Sequence, residues 1–148
     1  MPILNFGSLN IDHVYRVDTF VLPGETKHTK SYSVNSGGKG LNQSIAAARA
    51  GSQVFHAGIA GKDGGFLVEM LQAAGVNTSL MQSSPEVSGH AIIQVSDSGQ
   101  NCILLYGGTN QMLTEAYVDQ TLEAFGSEGF VLLQNETNLV GEIIEKAA

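Results

Sequence analysis

Short apolar runs and longer segments with helical spacing alternate along the chain, and their order predicts strands and helices in turn. The apolar or β-branched runs predict strands over residues 3–9, 13–17, 27–35, 54–60, 79–82, 91–95, 102–106 and 130–134. The helical segments lie over residues 41–50, 66–74, 114–125 and 139–148. Strands that alternate with helices at this spacing indicate an α/β sheet with crossover helices.

Boundary residues support several of these elements. Gly51 and Gly75 follow two of the predicted helices at the position where glycine commonly ends a helix, and Thr114 can cap the third. The segment 97–101, Asp-Ser-Gly-Gln-Asn, has turn chemistry and predicts a hairpin between its flanking strands. The helix over 139–148 reaches the last residue without a stop signal, so we expect a domain that is incomplete at its C-terminus.

Composition and charge exclude several classes of protein. Hydrophobic residues make up 43% of the 148 residues and charged residues 14%, which excludes a disordered chain and suits one domain. A net charge of −7 argues against nucleic acid or an anionic membrane as partner. Cys102 is the single cysteine, the N-terminus does not resemble a signal peptide, and no apolar run approaches ~20 residues. We therefore expect a soluble cytoplasmic protein.

Neither the histidines nor the single cysteine indicates a functional site. The four histidines, at positions 13, 28, 56 and 90, show no pair at helical ligand spacing, so we expect no metal site. Cys102 stands in an apolar run and is predicted to be an inert core residue.

The sequence Gly37-Gly38-Lys39-Gly40-Leu41-Asn42-Gln43 is the strongest local signal. It joins a strand-like segment to a predicted helix, so its free N–H groups and the helix dipole can face one ligand. Gly40 follows Lys39 where a Walker A loop has Ser or Thr, so the segment is not a Walker A motif. The alternative is a plain glycine-rich turn with Lys39 in water.

Polar side chains also follow two predicted strands. Asn10 and Asp12 lie at the carboxyl end of the first, and Glu136 follows the strand over 130–134. Ligands of open α/β sheets bind at these ends, and amide and carboxylate groups can hydrogen-bond to the hydroxyls of a polyol. The alternatives are an Asx turn at Asn10 and a helix N-terminal charge at Glu136.

Taken together, these motifs resemble a known family. Asn10-x-Asp12, then Pro23-Gly24-Glu25-Thr26, then the segment 37–43 with its alanine-rich helix, resemble in order and spacing the N-terminal half of the ribokinase (PfkB-type) sugar kinases. Gly61-x-Asp63 and Leu133-Gln134-x-Glu136 extend the resemblance over nearly the whole chain. One departure is Phe66, which stands where the family spacing has a glycine, so we expect a shortened turn there.

The resemblance implies a fold and a set of ligand contacts. Residues 1–148 would form part of one domain, with a central sheet flanked by helices and a small β-sheet lid made of strands at about 13–17, 27–35, 91–95 and 102–106. The family phosphorylates a sugar or nucleoside hydroxyl with ATP and Mg²⁺, and its lid commonly serves as a homodimer surface. The residues that would hold the sugar are Asn10, Asp12, Gly38, Lys39, Asn42 and Glu136.

The family's second signature, Asp-Thr-x-Gly-Ala-Gly-Asp, is absent from this sequence. That signature supplies the general base and the anion hole, so we expect no catalytic, nucleotide-binding or metal-binding residue in this chain. Our first hypothesis is the sugar-binding N-terminal half of an ATP-dependent kinase of ribose or a similar sugar, inactive by itself. The alternatives are a natural non-catalytic sugar-binding or dimer-forming module, and an α/β domain whose glycine loop binds another anion.

Overall fold

The computed structural model describes residues 1–148, which form nine strands, four α-helices and one 3₁₀ helix. The strands are β1 (Ile3–Phe6), β2 (Asn10–Arg16), β3 (Ser31–Gly37), β4 (Val54–Ala57), β5 (Ile59–Ala60), β6 (Gln82–Ser83), β7 (Gly89–Val95), β8 (Asn101–Tyr106) and β9 (Phe130–Leu133). The helices are α1 (Lys39–Arg49), α2 (Gly65–Ala73), α3 (Glu115–Phe125) and α4 (Val140–Ala147), and the 3₁₀ helix spans Gly108–Gln111. This is the predicted mixed α/β class.

The strands form two principal sheets. The first is a parallel three-stranded sheet in the order β4-β1-β9. The second has four strands in the order β3-β2-β7-β8, with β2 and β7 parallel and both outer pairs antiparallel. The pairing of β7 with β8 confirms the predicted hairpin. The short strands β5 and β6 pair separately.

Two apolar clusters pack against opposite faces of the parallel sheet. Leu4 and Phe6 of β1 point towards α3 and α4, where they meet Tyr117, Val118 and Ile143. On the other face, α1 and α2 pack through a set of fully buried leucines and their neighbours: Leu9, Leu41, Val54, Leu67 and Leu71. The sheet is therefore a middle layer between helices, as the alternation of strands and helices predicts.

The first strand ends earlier than predicted. β1 stops at Phe6, and Asn10 begins β2 in the other sheet. A Cβ added at Gly7 would lie 2.6 Å from the His56 ring and 2.8 Å from the Gly40 Cα, so a glycine is needed where the chain passes between them. Asn10 and Asp12 are therefore the first residues of the four-stranded sheet, and their placement at the end of the first strand was wrong.

Other boundaries shift for local reasons. The strand predicted over 27–35 runs instead over Ser31–Gly37, and Lys27 contacts Asp18 outside the sheet. The strand predicted over 54–60 divides at Gly58 into β4 and β5. Gly51 and Gly75 end their helices with φ of +92° and +84°, and the Thr114 hydroxyl accepts a hydrogen bond from the Tyr117 N–H, as predicted.

The apolar run over 130–134 predicts a buried strand and Cys102 a core position, and both are more exposed than predicted. The last strand, β9, is an edge strand, and the side chain of its first residue, Phe130, is 58% exposed. Cys102 lies in β8, one of the two edge strands of the four-stranded sheet, and all residues of β8 are exposed. An apolar run cannot reveal whether its strand is central or at an edge, because that depends on partners distant in sequence. None of the helices combines the length and the apolar character that a membrane span requires.

Candidate functional site

A cavity of about 260 Å³ lies between the two sheets, beside the N-terminus of α1. All six residues that the sequence singled out line it: Asn10, Asp12, Gly38, Lys39, Asn42 and Glu136. The remaining lining consists of apolar side chains of β7 and β8: Ala91, Ile93, Ile103 and Leu105. The cavity thus has a polar floor and an apolar roof. A larger hollow of about 510 Å³ beside α3, β9 and α4 contains none of the predicted residues.

The glycine segment is held in place by the backbone and the side chain of Ser8. The Leu41 N–H donates to the Ser8 carbonyl at 2.9 Å, and the Gly40 N–H donates to the Ser8 Oγ at 3.1 Å. Gly38 has a φ of +97°, and Gly40 lies so close to β1's end that an added Cβ would be 2.2 Å from the Ser8 nitrogen. These contacts begin α1 at Lys39, two residues before the predicted start.

Glu136 lies at the N-terminus of this helix. Its Oε2 accepts hydrogen bonds from the Ser8 Oγ at 2.7 Å and the Lys39 N–H at 3.0 Å, and its Oε1 pairs with the Lys39 ammonium. Burial acts to raise the pKa of the Glu136 carboxyl, but the hydrogen bonds from Lys39 and Ser8 outweigh it and leave the pKa lowered. The structure therefore joins Glu136 to α1, 97 residues earlier in the chain, and not to the helix that follows it.

Asp12 faces the same cavity, and the pKa of its carboxyl is shifted in the opposite direction. Burial, and then the negative charge of Glu136, raise the pKa of its carboxyl, while nearby His13 acts to lower it. A Cβ at Gly37 would lie 2.3 Å from the Asp12 Oδ2, so glycine at that position leaves space for the carboxylate. The pKa values of the two carboxyls in this cavity are thus shifted in opposite directions.

A buried polar network supports the floor of the cavity from below. The Asn5 amide donates to the Gly40 carbonyl and to the Ser44 Oγ, both at 2.8 Å. Ser44 contacts the His56 Nδ1 at 2.8 Å, and the His56 Nε2 contacts the Gly7 carbonyl at 3.1 Å.

The protonation of His56 sets the direction of its two hydrogen bonds in this network. The Gly7 carbonyl only accepts, so the Nε2–H of His56 donates to it, and in the neutral ring the Nδ1 accepts from the Ser44 hydroxyl. This is the neutral tautomer, and burial lowers the pKa of His56 to about 4 although the bond to Gly7 acts to raise it.

Sequence reasoning missed Ser8 and the 3₁₀ helix. Asn110 of that helix is buried and contacts both Leu9 and Asn10, and the Gln111 Nε2 donates to the Glu136 carbonyl at 3.1 Å. The sequence signal for the 3₁₀ helix is Gly107-Gly108, a glycine pair that follows β8. No group of three His, Cys, Asp or Glu side chains is placed to hold a metal ion.

The fold and the cavity together define a class, an α/β protein with a polar pocket between a parallel sheet and a second, mixed sheet. Residues 3–147 match the model of the pfkB family carbohydrate kinases. The chain is 39% identical over 145 residues to the ribokinase of Haemophilus influenzae, an alignment covering 96% of this chain and 47% of that enzyme. The chain belongs to the pfkB carbohydrate kinase family.

Solved structures of ribokinases share the fold of this chain. The ribokinase of Cryptococcus neoformans in complex with ADP superposes with a TM-score of 0.80 at 36% identity, covering 99% of this chain and 45% of that one. The ribokinase of Arabidopsis thaliana complexed with ribose and ATP gives 0.78 at 27% identity, covering 99% and 50%. The chain spans about half the length of the relatives it matches.

Proposed function

We propose that this chain is the sugar-binding, N-terminal part of an ATP-dependent carbohydrate kinase whose substrate is ribose or a similar small sugar. The observation that carries the proposal is the convergence of the six predicted residues on one cavity. Its volume of about 260 Å³ falls below the range of about 300–1,000 Å³ typical of drug-sized ligands, which suits a small sugar. The similarity to ribokinases supports the choice of ribose.

Each lining group has a role in this proposal. Asn10 and Asp12 bind hydroxyls from the side of the second sheet, and Gly38, Lys39 and Asn42 bind them from the helix N-terminus. Glu136 accepts from a hydroxyl at the far side and keeps the loop in place through Lys39 and Ser8. The apolar roof of β7 and β8 keeps water away from the bound sugar.

ATP and Mg²⁺ bind, in this proposal, to residues beyond this chain, and the chain alone does not phosphorylate sugars. Phosphoryl transfer depends on groups that position the nucleotide and stabilise charge, and the signature that would supply them is absent from the sequence. Calorimetry with a panel of pentoses and hexoses should detect binding of at least one sugar, while a coupled assay with ATP and Mg²⁺ should stay at the blank. Turnover above the blank would contradict the proposal that the chain alone is inactive. The absence of heat with every sugar would contradict the proposal that it binds a sugar.

We also propose that the four-stranded sheet is a lid over the sugar and forms a homodimer surface. Its edge strand β8 carries exposed apolar side chains, with Ile103 at 50%, Leu104 at 67% and Leu105 at 58%. Apolar area of this kind is commonly covered by a partner. Sedimentation over a range of protein concentrations should reveal a dimer that Leu104→Lys weakens, because Leu104 is exposed and does not line the cavity.

The alternative is a natural non-catalytic module of the same fold, and the exposed β8 favours its dimer-forming version. Both hypotheses predict sugar binding, so binding does not separate them. The intact mass of the protein from its natural source does: 15.6 kDa favours the module, whereas a much larger mass favours the kinase.

The substitution Asp12→Asn tests the site directly. It removes a charged acceptor while keeping the shape of the side chain, so we expect the Kd for the bound sugar to rise about 10- to 100-fold, as for loss of a hydrogen bond to a charged group. Calorimetry on the purified chain measures this change.

Asp97→Asn is the matched control. Asp97 is an exposed carboxylate in the turn of the same sheet, paired with Lys30 and outside the cavity, so its replacement should leave the Kd unchanged. Equal affinities for wild type and Asp12→Asn would exclude Asp12 as a sugar ligand.

A further inference from the structure

The orientation of the Asn110 side chain is fixed by the backbone of one residue. Its Oδ1 lies 2.9 Å from the Leu9 nitrogen, and its Nδ2 lies 3.1 Å from the Leu9 oxygen. A backbone N–H only donates and a carbonyl only accepts, so the amide of Asn110 has a single possible orientation here. Asn110 is buried, with 3% of its surface exposed, so water does not substitute for either bond.

This fixed amide determines the orientation of Asn10. The Asn110 Nδ2 also donates to the Oδ1 of Asn10 at 2.7 Å, so the oxygen of Asn10 must face Asn110. The Nδ2 of Asn10 makes no hydrogen bond within the protein, yet it is not among the buried unpartnered atoms, which are the Gln134 Oε1 and the Thr137 Oγ1. It therefore reaches the surface, and the surface beside Asn10 is the cavity.

Packing around the pair keeps the two amides together. A Cβ added at Gly89 would lie 2.1 Å from the Asn110 Nδ2 and 2.3 Å from the Asn10 Oδ1, so only glycine at that position leaves the contact free. Gln111, the next residue of the 3₁₀ helix, donates to the Glu136 carbonyl on the other side of the cavity. The 3₁₀ helix thus contacts residues on both sides of the cavity.

We propose that Asn110 is a positioning residue that makes Asn10 a hydrogen-bond donor towards the sugar. Beside it, the Asp12 carboxylate is an acceptor, so the site pairs one donor with one acceptor. A ligand fits if one hydroxyl oxygen accepts from Asn10 while a neighbouring hydroxyl donates to Asp12. This inference rests on the proposed sugar site and adds to it the polarity that the second sheet presents to the hydroxyls.

Asn110→Asp tests the proposal by reversing that polarity. The carboxylate can still accept from the Leu9 N–H, but its second oxygen cannot donate to Asn10, whose amide must turn over and present its oxygen to the cavity. We expect the Kd for the sugar to rise about tenfold or more.

Asn138→Asp is the matched control, because Asn138 bonds the N–H and carbonyl of Leu113 in the same way, at 3.0 and 2.8 Å, without touching Asn10. It should lose similar stability and keep the wild-type Kd.

A double-mutant cycle separates positioning from a general structural effect. In an Asn10→Ala background, Asn110→Asp should leave the sugar affinity unchanged, because there is no longer an amide to orient. If Asn110→Asp weakens binding equally in both backgrounds, Asn110 acts on the fold as a whole and the proposal is wrong.

NMR of the wild-type chain without sugar tests the orientation independently of the proposed function. The Nδ2 protons of Asn110 should exchange slowly with solvent and show a coupling across the hydrogen bond to the Cγ of Asn10. If this coupling is present but calorimetry detects no sugar binding, the proposed sugar site is wrong while the orientation of Asn10 is confirmed. Fast exchange without coupling overturns the orientation, whether or not a sugar binds.

Discussion

Gly40→Ala is expected to be among the most destabilising single substitutions in this chain. The added Cβ would lie 2.2 Å from the Ser8 nitrogen and 2.3 Å from the Gly7 Cα, and both are backbone atoms that cannot rotate away. The start of α1 would have to move from β1, which breaks the bonds that join Ser8 to Gly40 and Leu41. We expect a loss of about 3 kcal/mol or more in the free energy of unfolding, measured by denaturation in urea.

The chain contains a matched control for this substitution. Gly141 is also the second residue of a helix, α4, and nothing lies within 4 Å of a Cβ added there. Gly141→Ala should therefore be neutral or raise the stability by up to about 1 kcal/mol, through helix propensity alone. If the two variants unfold at the same urea concentration, close approach to Ser8 is not what requires Gly40.

The second large effect expected is a loss of stability in acid that depends on His56. Burial lowers the pKa of His56 in the folded chain to about 4 from an ordinary value of 6.5. Between these values the unfolded chain binds a proton that the folded chain does not, so the free energy of unfolding falls as the pH drops from 6.5 to 4. At about 1.4 kcal/mol per pH unit, the whole change is about 3 kcal/mol.

Other groups also titrate in this range, so the test compares variants. Urea denaturation at pH 7 and pH 4.5 should show a smaller acid loss for His56→Gln than for wild type, whereas His28→Gln, at an exposed position, should behave as wild type does. NMR of the wild-type imidazole gives a second measurement if His56→Gln does not fold. A His56 ring that becomes charged near pH 6.5 would contradict the buried, neutral network of Asn5, Ser44 and Gly7.

The order of elements and the choice of site residues were predictable from local signals. Helix stops at Gly51 and Gly75, the cap at Thr114 and the hairpin around 97–101 each depend on residues within a few positions of one another. The segment 37–43 and Glu136 were visible as glycines and polar groups at predicted strand and helix ends, and the resemblance to the ribokinase family implied the full set of six. The six residues meet in one cavity although Asn10 and Asp12 lie in the second sheet and not at the end of the first strand.

The misplaced elements all depended on contacts between distant residues. The first strand ends at Phe6 because Gly7 passes between His56 and Gly40, which lie 49 and 33 positions further along the chain. Cys102 is exposed because β8 lies at an edge of its sheet, which depends on how strands distant in sequence pair.

Short motifs in a fixed order were enough to predict the α/β class, the sugar-kinase family and the six residues around the cavity. How those residues face the cavity depends on contacts that form when the chain folds. Glu136 binds the start of α1 through Lys39 and Ser8, and Asn110 orients Asn10 across 100 positions of sequence. Hydrogen bonds have direction, and their direction is set by partners that only folding brings within about 3 Å.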